Sequence, residues 1–123
     1  VVLRGGRKLT NYDAKSIEQA LVQLDSVKEK NDIHAKVIVD CSHDNAQKKH
    51  ERQLDIAIQV ATQRKEGNQA IVGIMLESFL KAGKQGMKGP EGDGLEYGLS
   101  ITDPCLCWGK TVELLNDIHQ CLD

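Results

Sequence analysis

A chain of 123 residues, 40% hydrophobic and 28% charged, has the length and composition of one small globular domain rather than a disordered segment. Its net charge of −2 and aromatic fraction of 3% argue against a nucleic-acid-binding protein. No apolar run approaches the roughly 20 residues that cross a bilayer, so no membrane association is expected. Four cysteines at this density fit free thiols in a reducing cytoplasm better than a disulfide scaffold.

The first half of the chain predicts two strand–helix units. Residues 1–3 form a short apolar strand that ends at Arg4, and Asp13 can cap a helix whose apolar residues recur at helical spacing. The apolar run Val37–Asp40 predicts a second strand with both faces buried, followed by a helix over about residues 48–64. This alternation indicates a parallel sheet, because parallel strands need a crossover connection.

The second half of the chain predicts a third strand, a long loop and a last helix. The strand covers residues 70–76, and the glycine-rich loop covers residues 80–97. A strand-like run over residues 99–103 comes next, and Pro104 is expected in the first turn of the helix that contains Trp108. Three such units fit a small doubly wound sheet or a segment of a (β/α)₈ barrel. The abrupt start and the polar strand ends favour the barrel segment, which would make the chain a piece of a longer protein.

Three of the apolar runs end in a side chain that can bind a metal ion, namely His43, Glu77 and Asp103. Parallel strands present their carboxyl ends to one face, so these side chains are expected to converge there as a site for a divalent metal. Taken singly, His43 fits a turn residue and Asp103 fits a helix cap. Glu77 is harder to explain without a cation, because a carboxylate at the end of a buried strand is costly.

The segment Arg4-Gly5-Gly6 follows the first strand and is a candidate anion site. Adjacent glycines let backbone N–H groups approach a phosphate, and a guanidinium matches a phosphate in a bidentate manner. A surface arginine before a flexible turn explains the same residues equally well.

The cysteines raise a further hypothesis, a structural zinc site of Cys41, His43, Cys105 and Cys107. The Cys-x-Cys spacing lacks the two-residue spacer of common zinc knuckles, and Cys41 has no second thiol near it in sequence. Packing of Cys107 and Cys121 as small apolar groups is therefore the favoured interpretation.

Five segments form a pattern whose order and spacing are specific: Val2-Leu-Arg-Gly-Gly6, Asn11-Tyr12, Val39-Asp-Cys-Ser-His-Asp-Asn45, Gly73-Ile-Met-Leu-Glu-Ser78, and Tyr97-Gly through Ser100-Ile-Thr-Asp-Pro-Cys-Leu-Cys-Trp108. Over essentially the whole chain, this pattern resembles the C-terminal portion of the microbial type I 3-deoxy-D-arabino-heptulosonate 7-phosphate (DAHP) synthases. The resemblance implies an α/β fold in which residues 1–123 form the last three β/α units of a single (β/α)₈ TIM-barrel catalytic domain.

The resemblance also implies a function. The parent enzyme would be a transferase of aldolase type that condenses phosphoenolpyruvate with erythrose 4-phosphate, releasing phosphate, in the first step of the shikimate pathway to aromatic amino acids. It would need a divalent metal such as Mn²⁺ or Fe²⁺, with His43, Glu77 and Asp103 matching three of the family's metal ligands. Arg4 would match an arginine that binds the phosphate of phosphoenolpyruvate. The family's fourth ligand is an upstream cysteine that Cys41 does not match, and no residue here is assigned to proton transfer.

The expected parent is a cytoplasmic homo-oligomer, whereas the isolated chain is expected to be inactive. It lacks the upstream ligand and most of the substrate contacts, and its unpaired strand edges would favour self-association. A non-catalytic module that binds a metal or a phosphate is an alternative. A related synthase that uses arabinose phosphate is another, although residues 42–45 and 97–98 look more like the heptulosonate synthases.

Overall fold

The structure is a computed structural model that describes residues 1–31, 34–87, 89 and 94–123. Its elements in chain order are β1 (Val2–Leu3), α1 (Ala14–Asn31), β2 (Val37–Asp40), α2 (Arg52–Lys65), β3 (Ile71–Met75), β4 (Ser78–Phe79), β5 (Leu106–Cys107) and α3 (Trp108–Leu122). The predicted α/β class is confirmed. None of the described helices has the length and hydropathy to cross a membrane.

The main sheet is parallel, in the order β1-β2-β3, as the alternation of strands and helices predicts. Leu3 pairs with Val39, and Asp40 pairs with Met75, so the carboxyl ends of the three strands lie at one edge. The residues that follow each strand therefore enter the loops from the same side of the sheet. This register is what brings Arg4 and the segments after β2 and β3 to one end of the molecule.

The helices cover one face of this sheet, and the core lies between the helices and the sheet. The core is a cluster of buried apolar side chains that includes Leu3, Ile17, Val37, Val39, Ile56, Val60, Ile71, Leu106 and Leu114. Helix α1 begins as predicted, because Asp13 Oδ1 accepts a hydrogen bond from the Ser16 N–H at 3.0 Å. The Ser16 hydroxyl and then its N–H hold the pKa of Asp13 below its usual value.

The opposite face of the sheet is open within the described residues. Its apolar side chains are half exposed, with exposed fractions of 50% for Val2, 37% for Ile38 and 39% for Met75. The expectation that β2 is buried on both faces is therefore wrong for this chain, because only the helix side is covered. A continuous apolar run is typical of a strand buried on both faces, and here one of those faces has no partner among the described residues.

The strand predicted over residues 99–103 is wrong. These residues form bends and, at Ser100, an isolated bridge to Lys84, and the strand is β5, which pairs in parallel with β4. Leu106 is almost fully buried in the core, whereas Ile101 is exposed, so burial selects the later segment. Pro104 consequently precedes β5 instead of opening the helix, and Cys107 occupies the N-cap position of α3, which begins at Trp108.

Helix α2 begins at Arg52, four residues after the predicted start. Gln47 and Lys48 have φ angles of 52° and 62°, which lie in the left-handed region that a right-handed helix cannot pass through. The segment after His43 is therefore a compact series of turns rather than a first helical turn.

The predicted loop over residues 80–97 is partly ordered by its own contacts. Gln85 Nε2 donates hydrogen bonds to the carbonyl groups of Glu96 and Leu99 at 2.8 and 2.9 Å, and Gln85 Oε1 accepts one from the Glu96 N–H. Gly83 pairs with Cys105 in both directions. Residues 88 and 90–93 of the predicted loop, including Gly92, lie outside the described residues.

Candidate metal centre

His43, Glu77 and Asp103 come from three separate segments and converge beyond the carboxyl ends of the main sheet. The ligand atoms of the three side chains all lie within 4.8 Å of one another. His43 Nε2 is 3.6 Å from Glu77 Oε1 and 3.5 Å from Asp103 Oδ2. Ligands bound to one ion at about 2.0–2.2 Å have mutual separations in this range. In the part of the chain that the structure describes, this is the one such group of His, Cys, Asp and Glu side chains.

The His43 ring is fixed by the end of strand β2. Its Nδ1 lies 2.6 Å from Oδ2 of Asp40, and Oδ1 of Asp40 accepts the Ser42 N–H at 2.8 Å. The φ of His43 is 42°, so the backbone turns sharply here and the imidazole follows the strand by three residues. His43 therefore lies in a turn, not at the strand terminus itself, and the buried Asp40 links it to the sheet.

Glu77 lies two residues after the end of β3 and directly before β4, and hydrogen bonds hold both its N–H and its carbonyl group. Its N–H donates to Gln53 Oε1 at 2.8 Å, and its carbonyl accepts from Gln53 Nε2 at 3.2 Å and from the Leu106 N–H at 2.9 Å. Gln53 is fully buried on α2. This contact was missed in the sequence, although a glutamine three and four residues before the buried Ile56 and Ala57 occupies the core face of that helix.

Asp103 is the most exposed member of the cluster, with 56% of its side chain accessible. It lies in the bend before β5, so its predicted position at the end of a strand is wrong, although the predicted convergence is observed. The bend is anchored just beyond it, because Cys105 donates its N–H to Gly83 and accepts the Gly83 N–H in return, at 3.1 and 2.8 Å.

Arg4 lies at the end of β1 with an exposed side chain. The two glycines after it do not offer their N–H groups to an anion, because Gly5 donates to Asn11 Oδ1 at 2.7 Å and Gly6 donates to the Leu9 carbonyl at 2.9 Å. The glycine part of the predicted anion site is therefore wrong. The guanidinium of Arg4 remains the group in this segment that can bind a phosphate.

Asn45 joins the Arg4 segment to the His43 segment. Its buried side chain donates from Nδ2 to the carbonyls of Leu3 and Asp40 at 3.1 and 2.8 Å, and its Oδ1 accepts the Asn11 N–H at 2.8 Å. The sequence alone did not indicate these contacts. In the structure one amide connects the ends of two strands, so the two segments are positioned together.

The cysteines do not form a zinc site. No cluster of potential ligands in the described ranges includes a cysteine, and Cys41, Cys105, Cys107 and Cys121 are all free. Burial, followed by the charge of Asp40, raises the pKa of Cys41 to about 12, so this thiol is protonated in the metal-free chain. Burial also raises the pKa of Cys105. Cys107 and Cys121, which were expected to pack as small apolar groups, are only half-buried, whereas Cys41 and Cys105 are buried.

The fold and the site together define a parallel α/β protein with one imidazole and two carboxylates gathered beyond its strand ends. The sequence model of the DAHP synthetase I family matches residues 1–116, and the chain belongs to this family. The resemblance seen in the sequence motifs is thereby confirmed.

Relatives and a solved structure agree with this membership. A phospho-2-dehydro-3-deoxyheptonate aldolase of Alternaria alternata is 44% identical over 118 residues, which cover 96% of this chain and 30% of the relative. The tyrosine-inhibited aldolase of Candida albicans is 42% identical over 123 residues, covering 98% and 32%. The solved structure of the Francisella tularensis aldolase matches with a TM-score of 0.88 at 34% identity, covering 99% of this chain and 33% of that one. The chain thus spans about a third of the length of these relatives.

Proposed function

We propose that this chain is the metal-binding part of a DAHP synthase, an enzyme that condenses phosphoenolpyruvate with erythrose 4-phosphate and releases phosphate. The observation that carries the proposal is the convergence of His43, Glu77 and Asp103 within 4.8 Å in a chain of this family. The relatives are named phospho-2-dehydro-3-deoxyheptonate aldolases, which supports the same reaction as the first step of aromatic amino acid synthesis in the parent enzyme.

The donor set fits a divalent cation such as Mn²⁺ or Fe²⁺. One imidazole nitrogen and two carboxylate oxygens match the ligand preferences of these ions, and two negative charges offset the charge of the metal. A bound cation would supply Lewis acidity, polarising the aldehyde oxygen of erythrose 4-phosphate. Arg4 is proposed to bind the phosphate of phosphoenolpyruvate, so that the chain contributes substrate positioning as well as metal ligands.

The fold proposed for the parent enzyme is a (β/α)₈ barrel in which these residues supply the last three units. The strand order β1-β2-β3 follows the chain without the reversal that a doubly wound sheet contains. The open sheet face carries Val2 and Ile38, and inward-facing branched side chains of this kind fill the interior of such barrels. Placement of residues 1–123 within a single catalytic domain rests on these two features.

The isolated chain is proposed to bind a metal without catalysing the reaction, because it spans about a third of its relatives. Its open apolar face and the free edges of its short sheet favour self-association, and the parent is proposed to be a homo-oligomer. All four cysteines are unpaired thiols, which supports a reducing cytoplasmic location.

The proposed reaction is tested by phosphate release from the full-length enzyme that contains this sequence. We expect release from phosphoenolpyruvate with erythrose 4-phosphate, little release with arabinose 5-phosphate, and loss of release after chelation with recovery on adding Mn²⁺. Preference for arabinose 5-phosphate would identify the related synthase instead. Activity that survives complete removal of the metal would contradict the role given to His43, Glu77 and Asp103.

A further inference from the structure

Asp40 is a fully buried carboxylate that lies behind the metal cluster and is not one of its three members. It ends strand β2, in register with Met75 of β3. A buried carboxylate costs several kcal/mol unless it is well paired. Here both of its oxygens are used, since Oδ1 accepts the Ser42 N–H at 2.8 Å and Oδ2 lies 2.6 Å from Nδ1 of His43.

We propose that Asp40 is a positioning residue that holds the His43 ring in the tautomer able to bind a divalent metal. This inference rests on the proposed function, because it takes the cluster to be a metal site. A carboxylate can only accept, so Nδ1 carries the proton and donates it to Asp40. Nε2 then keeps its lone pair, and Nε2 is the atom that faces Glu77 and Asp103 at 3.6 and 3.5 Å.

The backbone makes this position sensitive to the difference between a carboxylate and an amide. The Ser42 N–H needs an acceptor and occupies Oδ1 of Asp40. An asparagine would keep its single oxygen for that N–H and turn its NH₂ group toward Nδ1 of His43. The ring would then accept a hydrogen bond at Nδ1 and carry its proton on Nε2. That proton would take the place of the lone pair that binds a metal.

A second contact gives the arrangement its rigidity. The carbonyl of Asp40 accepts a hydrogen bond from the buried Asn45 amide at 2.8 Å, so the residue is fixed through its main chain as well as its carboxylate. His43 itself has a φ of 42°. The ring therefore has little freedom to rotate away, and its tautomer is the remaining variable that Asp40 controls.

The experiment compares the metal-free 123-residue chain with Asp40→Asn and Asp44→Asn. Nitrogen-15 NMR of the imidazole rings at about pH 9, where an ordinary imidazole is neutral, reports which nitrogen carries the proton. We expect protonated Nδ1 in the native chain and protonated Nε2 in Asp40→Asn. Calorimetry with Mn²⁺ should show about 10- to 100-fold weaker binding by Asp40→Asn, as for loss of other partners of metal-binding histidines.

Asp44→Asn is the matched control. It removes a neighbouring carboxylate that makes no described hydrogen bond to the His43 ring, and it should retain both the tautomer and the affinity for Mn²⁺. A proton on Nε2 in the native chain would overturn the proposal, even if Asp40→Asn failed to fold. An unchanged tautomer in folded Asp40→Asn would overturn it too. Native chain that has protonated Nδ1 but does not bind Mn²⁺ would refute the proposed metal binding by the 123-residue chain and leave the tautomer result standing.

Discussion

Replacing Glu77 with Gln is expected to weaken Mn²⁺ binding by the 123-residue chain at least about 100-fold, measured by calorimetry. Glu77 supplies one of two carboxylates in the cluster, and its Oε1 lies 3.6 Å from the His43 nitrogen that faces the same point. The amide has nearly the same shape but lacks the negative charge. Loss of a direct ligand should weaken metal binding by more than the 10- to 100-fold that is typical when a hydrogen-bond partner of a ligand is lost.

The matched control for this substitution is Glu66→Gln, at the exposed C-cap of α2. It removes the same charge from the chain at a site outside the cluster, so its affinity for Mn²⁺ should equal that of the native protein. Equal weakening by both variants would mean that the effect is one of net charge. Full retention of binding by Glu77→Gln would exclude Glu77 as a ligand.

Replacing Gly5 with Ala is expected to lower the free energy of unfolding by at least about 2 kcal/mol, measured by urea denaturation. Gly5 has a φ of 81°, a conformation that side chains rarely adopt. An added Cβ would also lie 2.6 Å from the backbone nitrogen of Asn45. The strand-end segment would have to move away from Asn45, whose side chain holds Leu3 and Asp40, so Mn²⁺ binding should weaken as well.

Gly6→Ala provides the comparison next to it. Its backbone is outside the left-handed region, and the nearest atom to an added Cβ is the Leu9 carbonyl oxygen at 3.8 Å, an ordinary contact. We expect a change in the free energy of unfolding within about 0.5 kcal/mol. Similar stability of the two variants would show that the close approach of Gly5 to Asn45 does not constrain the fold.

The elements that could be predicted are those with a strong local pattern. Strand β2 has its predicted bounds, β3 differs by one residue at each end, and α3 covers its predicted apolar residues. The Asp13 cap is also observed. In each case a continuous apolar run, a helical spacing or a capping side chain acts within a few residues, so the sequence contains the information locally.

The elements that could not be predicted depend on contacts between distant segments. Strands β4 and β5 have two residues each and are paired across more than 25 positions of sequence, so neither has a local pattern. Gln53 and Asp40 are buried polar residues whose partners, Glu77 and His43, become visible only when the elements are packed. Asp103 was predicted to reach the site from the end of a strand, whereas in the structure the bend before β5 brings it there.

The most direct test of the metal centre is anomalous diffraction from crystals of this chain soaked in Mn²⁺. The structure predicts one strong peak between His43 Nε2, Glu77 and Asp103, with all three side chains within bonding distance of about 2.0–2.3 Å. A peak elsewhere, or one that touches none of these side chains while Mn²⁺ is bound in solution, would contradict the assignment of the cluster as the metal site.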